Sequence, residues 1–398
     1  MKLLVIKAGK AFKTLQRDGI FKGGKRIFSA LFAMFGRVRP ADVLIVTGGV
    51  GDSARYRAHH VAEELQINGI TASVTIQDNP LLATYAEKFK VFIFHRTLFT
   101  PSVSKLIDNI KKQEKEIIFE TDDLVYDPQY LKHMDYFKVM NSLERKLYEN
   151  GVGGEILNDP YVKVCTTTTT FLAEKLRALG KKVFIVPNKL CKRDVEIVEN
   201  LQLTTYNLQQ KTENVSDTIK IGYFSGTLSH NKDFATVTDA LMIIMEKYAN
   251  VELYLVGPLD IESRLNVYKD RIKQLPYVPR EKHFANIASA DINIAPLEIG
   301  NPFCESKSEL KFFEAGIVNV SSICAATQPF VESIEDGVDG FVANGTEEWV
   351  EKLEKLINDK NLRISMGQKA REKALVLYTT QNAKNEEYYN YLKLKIKG

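Results

Sequence analysis

Apolar residues in this chain fall mostly into short continuous runs, separated by longer stretches with helical spacing. After Asp42 the runs are 43–46, 72–76, 91–95, 116–120, 162–165 and 183–186, with helical patterns at 56–65 and 169–179 among them. Runs this short, apolar on both faces and alternating with helices, predict a parallel α/β sheet covered on each side. Residues 201–217 are polar and irregular and read as a linker. The alternation then restarts, with strands predicted at 220–224, 253–256, 292–295, 318–323 and 340–342 and a helix over 235–248. Charged amphipathic helices at 346–377 and 381–397 close the chain. The fold class expected is α/β: two tandem Rossmann-like, doubly wound domains with an interdomain cleft. The boundaries are a basic segment at 1–40, a first domain at 41–200, the linker, a second domain at 218–375 and a C-terminal helix at 376–398. Ligands of such sheets bind beyond the carboxyl ends of the strands.

Composition changes this picture little. The chain has 398 residues, 44% of them hydrophobic and 26% charged, which is ordinary for a globular protein with buried cores. The distribution of charge says more than the net +4. Residues 1–40 hold ten Lys or Arg against one acid, Asp18, interleaved with apolar positions such as Ile27, Phe28, Leu31 and Phe35. That pattern suits an anionic membrane surface, or a helix packed on its own domain with solvated lysines. No nucleic-acid motif accompanies it, so nucleic acid is not an expected partner. Four scattered cysteines, 165, 191, 304 and 324, have neither metal-ligand nor disulfide-framework spacing and suit a reducing cytoplasm. No apolar run is long enough to span a bilayer, and the start lacks a secretory signal.

The stretch Pro302 to Gly316, P-F-C-E-S-K-S-E-L-K-F-F-E-A-G, carries the densest chemistry. With Ser306 as N-cap, Glu309 becomes the capping-box partner, and Lys307, Lys311 and Glu314 share one helical face. Leu310, Phe313 and Ile317 form the opposite, sheet-facing side. Two cations beside helix-start N–H groups fit a phosphorylated ligand, and the carboxylate farther along fits its hydroxyls. A second phosphate-type turn, Ser225-Gly226-Thr227, follows the second domain's first strand and leads to His230 and Lys232.

In the first domain, Gly48-Gly49-Val50-Gly51 ends a strand but lacks the dinucleotide fingerprint spacing. Arg55 and Arg57 open the next helix, either facing an anionic acceptor or solvated. His95-Arg96 ends another strand. Asp122-Asp123 caps a turn more readily than it binds a metal, since no third ligand accompanies it. The threonine run 166–170 reads as a strand end and helix cap.

These residues together resemble the GT-B-fold glycosyltransferases, specifically the retaining family 4 or group 1 type, over about residues 42–375. The similarity rests on Gly226 and Lys232, Leu255-Val256-Gly257, the stretch from Ala290 to Pro296, that from Lys307 to Gly316, and that from Asp336 to Val342. Gly48-Gly49, Tyr56-Arg57 and Val186-Pro187-Asn188 add to it. The resemblance implies transfer of a sugar from a nucleotide-sugar donor to a glycan or lipid-linked acceptor in cell-surface polysaccharide synthesis, with retention. It implies no cofactor and no metal. Donor-binding residues would be Gly226, Thr227, Lys232, Lys307, Ser308, Lys311 and Glu314, with Glu314 on the ribose. His95 and Glu305 would be catalytic, and Gly48, Gly49, Arg55 and Arg57 would line the acceptor side. Two positions depart from the family: Thr227 stands at its Arg, and Ser306 at the first Glu of its E-x7-E motif, with Glu305 adjacent. Lys307 and Lys311 are then expected to supply the missing positive charge. The expected location is the cytoplasm, peripheral on the inner face of the membrane. An epimerase or phosphorylase on the same fold, or a non-catalytic partner subunit, are the alternative readings.

Overall fold

The computed structural model describes residues 24, 28, 34–134, 137, 140, 142–146, 148–209, 217–226 and 231–397. The basic segment 1–40 therefore lies mostly outside the described residues. The chain divides into two units, one comprising Met1–Asn188 with Lys384–Gly398, the other Lys189–Ala383.

The first unit holds six parallel strands: β1 (Val43–Thr47), β2 (Ala72–Ile76), β3 (Val91–His95), β4 (Glu116–Thr121), β5 (Val164–Thr167) and β6 (Lys182–Ile185). Their spatial order is β2-β1-β3-β4-β5-β6. Every residue of β1 and β3 is buried, as the continuous apolar runs require. Val43 lies beside Ala72 on one flank and Val91 on the other, which puts Thr47 and His95 together at the carboxyl end. Asp52–Ala54, a π-helical turn Arg55–His60 and Val61–Ile67 form the helix after β1. The C-terminal helix Glu386–Lys397 buries Tyr388, Tyr389 and Leu392 in this unit's core, and the Tyr389 hydroxyl donates to Glu64 at 2.6 Å. The sequence pattern located this helix but did not reveal that it returns to the first unit.

The second unit repeats the plan with β7 (Ile219–Phe224), β8 (Val251–Val256), β9 (Ile272–Leu275), β10 (Ile292–Ala295), β11 (Ser321–Ala325) and β12 (Phe341–Ala343), ordered β12-β11-β10-β7-β8-β9. β9 is an edge strand whose Lys273 and Gln274 are exposed, so its sequence carried no apolar signal. The strand expected at 318–323 begins only at Ser321, because Val318 and Val320 still close the preceding helix through backbone bonds to Ala315. The helix Lys192–Gln209 runs through 201–209, where a linker was expected, and the unit boundary lies before it. Residues 210–216 are outside the described set. Gly257, at φ 103°, ends β8 so close to Ser225 that a Cβ there would lie 1.8 Å from the Ser225 carbonyl oxygen. Only glycine fits this contact, which shapes the turn after β7.

Candidate functional site

In the second unit, Lys311 reaches the carboxyl end of β7, with Lys307 and Glu314 nearby. The helix expected from Ser306 starts later, as Leu310–Gly316. Pro302–Glu305 is a separate turn of helix, and 306–309 link the two. The capping box is therefore absent: Ser306 donates its hydroxyl back to the Phe303 carbonyl at 2.8 Å, and Glu309 makes no side-chain cap bond. Phe312 and Phe313 are fully buried, and Phe313 stacks on Tyr378 with centroids 4.6 Å apart. Burial pushes the Glu309 carboxyl up to about 7. Water stabilises a carboxylate better than this apolar surround does.

Removing Lys307 from the helix changes its partners. Its ammonium lies 2.9 Å from Asp233, a buried carboxylate that also accepts from the Cys304 thiol at 3.1 Å. Lys311 is half-buried, donates to the Phe224 carbonyl at the end of β7, and stands 4.5 Å from the Tyr223 ring centroid. Burial, with Lys307 nearby, lowers its pKa to about 8. Glu314 is 6% exposed. One of its oxygens accepts from Arg280, the other lies 3.1 Å from His283 Nε2. Arg280 and His283 carried no signal in the sequence reading, because they belong to a different helix, Arg280–Ala288.

The other expected donor residues are dispersed around this cluster. Gly226 has open space where a side chain would be. Thr227 and His230 lie outside the described residues. Lys232 is exposed on Asn231–Ala235, and Ser308 is half-buried in the link before the helix. Glu305 accepts from the backbone N–H groups of Gly300 and Gln328, both at 2.9 Å, so its carboxylate ties two loops.

In the first unit a pocket of about 270 Å³ opens at the carboxyl ends of β1 and β3. Gly48, Gly49, Ser53, Gln77, Arg96 and Tyr148 contribute to its wall, and His95 forms part of its floor. A Cβ at Gly48 would lie 2.0 Å from the Arg96 carbonyl oxygen, so the loop after β1 packs against that after β3 only through glycine. His95 is 2% exposed, with Nδ1 3.0 Å from the Thr47 hydroxyl and Nε2 3.0 Å from the Ser53 hydroxyl. Ser53 also donates to Asp122 at 2.8 Å. Burial alone would raise the Asp122 pKa, but Arg96, with bonds from His95 and Ser53, holds it well below the usual carboxylate range. An ionised carboxylate only accepts, so the Ser53 proton points to Asp122 and its oxygen receives His95 Nε2–H. The ring's tautomer follows from this chain of partners. Arg96, in the left-handed region at φ 46°, pairs with both Asp122 and Asp123, and Asp123 also caps Val125 N–H at 3.0 Å.

The arginines expected on the acceptor side face elsewhere. Arg57 is 1% exposed and forks onto Glu120 at 2.8 and 3.0 Å, with further bonds to Val186 O and Asn188. Arg55 pairs with Asp52 at 2.9 Å and does not line the pocket. The threonine run behaves as expected: Thr166 and Thr167 bond to Glu120 and to the Thr121 carbonyl, and Thr169 caps the next helix at Leu172 N–H.

Comparison with known proteins shows what the second unit resembles. Residues 219–359 match the family model described as glycosyl transferases group 1. This stretch is therefore similar to a group 1 glycosyltransferase domain. A curated relative, the capsular polysaccharide biosynthesis glycosyltransferase CapM of Staphylococcus aureus, is 26% identical over 191 residues. The aligned region is 46% of this chain and 48% of CapM, about half of each. Among solved structures, sucrose-phosphate synthase of Thermosynechococcus elongatus superposes with a TM-score of 0.61 at 13% identity, covering 90% of this chain and 100% of that one. HepE of Anabaena, solved with UDP and glucose, gives 0.55 at 12%, covering 89% and 100%. These likenesses show the GT-B fold. Lys307, Lys311 and Glu314 all fall within the matched residues 219–359. Among the described residues no helix is long and apolar enough to cross a membrane.

Proposed function

We propose that the chain transfers a sugar, with retention, from a nucleotide-sugar donor to a glycan or lipid-linked acceptor in cell-surface polysaccharide synthesis. The observation that carries this is the proximity of Lys307 and Glu314 to Lys311, which reaches the carboxyl end of β7, within the residues that match the group 1 family model. The lysines meet the charge that develops on the departing diphosphate, so the chemistry needs no metal. Asp233 holds Lys307 in place until a phosphate competes for it. Gly226, Thr227, Lys232 and Ser308 complete the phosphate side, and Glu314 takes the ribose diol. CapM's role in capsular polysaccharide and HepE's bound UDP support the same substrate classes here.

The pocket of the first unit takes the acceptor, with Gly48 and Gly49 in its wall. His95 acts there through Ser53, whose hydroxyl it orients, and Glu305 serves as a loop tie. The basic residues of 1–40 hold the enzyme on the inner face of the membrane, beside a lipid-linked acceptor.

A thermal-shift panel of nucleoside diphosphates and nucleotide sugars tests the donor half. One base is expected to raise Tm by several degrees, and Lys311→Ala is expected to erase most of that shift. No shift with any nucleotide would overturn the reading.

A further inference from the structure

We propose that Arg280 and His283 are positioning residues for donor recognition, bracing Glu314 so that its carboxylate meets the ribose hydroxyls at a fixed angle. The inference rests on the reading of Glu314 as the ribose acceptor. The geometry carries the rest. Arg280 is the first residue of its helix, where a cation is disfavoured by the helix dipole. Two carboxylates offset that cost. Arg280 Nε and Nη2 donate to Asp194 at 2.9 and 3.0 Å, while Nη1 donates to Glu314. Its guanidinium also lies over the Phe284 ring, 4.5 Å from the centroid. A planar fork held on both edges and one face has little freedom left.

His283, one turn along the same helix, reaches the second oxygen of Glu314. Its ring is wedged edge-on against Phe224 and Phe284, at 6.4 and 5.6 Å between centroids. Phe224 is also the residue whose carbonyl receives Lys311, so the brace and the cation share a neighbour at the end of β7. Each oxygen of Glu314 thus has a protein partner at a set direction. A carboxylate offers about four acceptor positions, so it can be braced and still receive hydroxyl protons. Asp194 is itself 2% exposed, in the first turn of Lys192–Gln209, where the helix dipole favours an acid. The chain Asp194–Arg280–Glu314 therefore transmits the position of one helix to the ligand-facing carboxylate of another.

A purely structural ion pair would predict the same contacts, so the test reads ribose recognition itself. The full-length protein is titrated with UDP, ADP, GDP and CDP, and the tightest of them is compared with its 2′-deoxy analogue by calorimetry. Arg280→Gln is expected to weaken the ribonucleotide about tenfold and leave the deoxynucleotide unchanged, the loss that follows from misplacing one charge-assisted hydrogen bond. Arg280→Lys is expected to recover only part of the discrimination, and His283→Ala to lose part of it while its fold is checked by circular dichroism. If Arg280→Gln does not fold, His283→Ala gives the same readout. Equal weakening of both nucleotides overturns the positioning role. If Glu314→Gln abolishes discrimination and neither Arg280→Gln nor His283→Ala changes it, the brace alone fails. If Glu314→Gln leaves discrimination intact, or no nucleotide binds, the ribose reading fails and this inference falls with it.

Discussion

At the scale of single residues, burial alters side chains that the sequence presents as ordinary surface charges. Lys311 has a pKa near 8 because its ammonium is desolvated and Lys307 is nearby. A bound diphosphate favours the charged form. Binding should therefore take up a proton near pH 8 and weaken as the pH rises above it. Calorimetry in buffers of different ionisation heat is expected to show that uptake, and Lys311→Ala is expected to abolish it. Glu309 has the opposite sign. Its folded pKa, about 7, exceeds the usual value of 4.5, so its contribution to stability is complete below 4.5 and lost as the pH rises through 7. Glu309→Gln should flatten the fall in Tm across that window, raising Tm relative to wild type at pH 8 and changing it little at pH 4.5. Arg57 was expected either to face an anionic acceptor or to be solvated, because it opens the helix after β1. It is instead buried on Glu120, and Arg57→Met, which leaves Glu120 without its counter-ion, should cost about 3–5 kcal/mol in denaturant unfolding.

At the scale of elements, apolar runs located β1 and β3 with little error, because strands buried on both faces are apolar along most of their length. The same rule could not find β9, which lies on an edge with one residue in two exposed to water. Helix starts were harder to read. Ser306 and Glu309 have the spacing of a capping box, yet the chain makes one turn at Pro302–Glu305 and starts again at Leu310. Glu309 is drawn inward by the packing around Tyr378, which outweighs the roughly 1 kcal/mol that a cap offers. The loops after β1 and β3 depend on one close approach. Gly48→Ala should displace the Arg96 carbonyl, lower stability by about 1–3 kcal/mol and reduce acceptor use, measured as Tm and as KM for acceptor.

At the scale of the whole molecule, two parallel sheets were legible in the periodicity, all six strands of the first and five of the second, and the likeness of residues 219–359 to the group 1 family in their motifs. The return of the C-terminal helix to the first unit was not, since nothing in 386–397 names its partner. Tyr388 and Tyr389 are 1% exposed there, so ending the chain at Ala383 should lower the first unit's thermal transition while leaving that of the second nearly unchanged in calorimetry. The sequence by itself determined the fold class, the alternation of strands and helices, and the clustering of Lys307, Lys311 and Glu314 on one short stretch. Those follow from local periodicity and spacing, which are properties of neighbouring residues. Tertiary structure alone decided which charges are paired: Arg280 and His283 on Glu314, Asp233 on Lys307, Glu120 on Arg57, and Ser53 with Asp122 around His95. Each joins residues tens of positions apart. Their partners are set by which strands lie side by side and which helices pack across them, an arrangement held chiefly by hydrophobic burial.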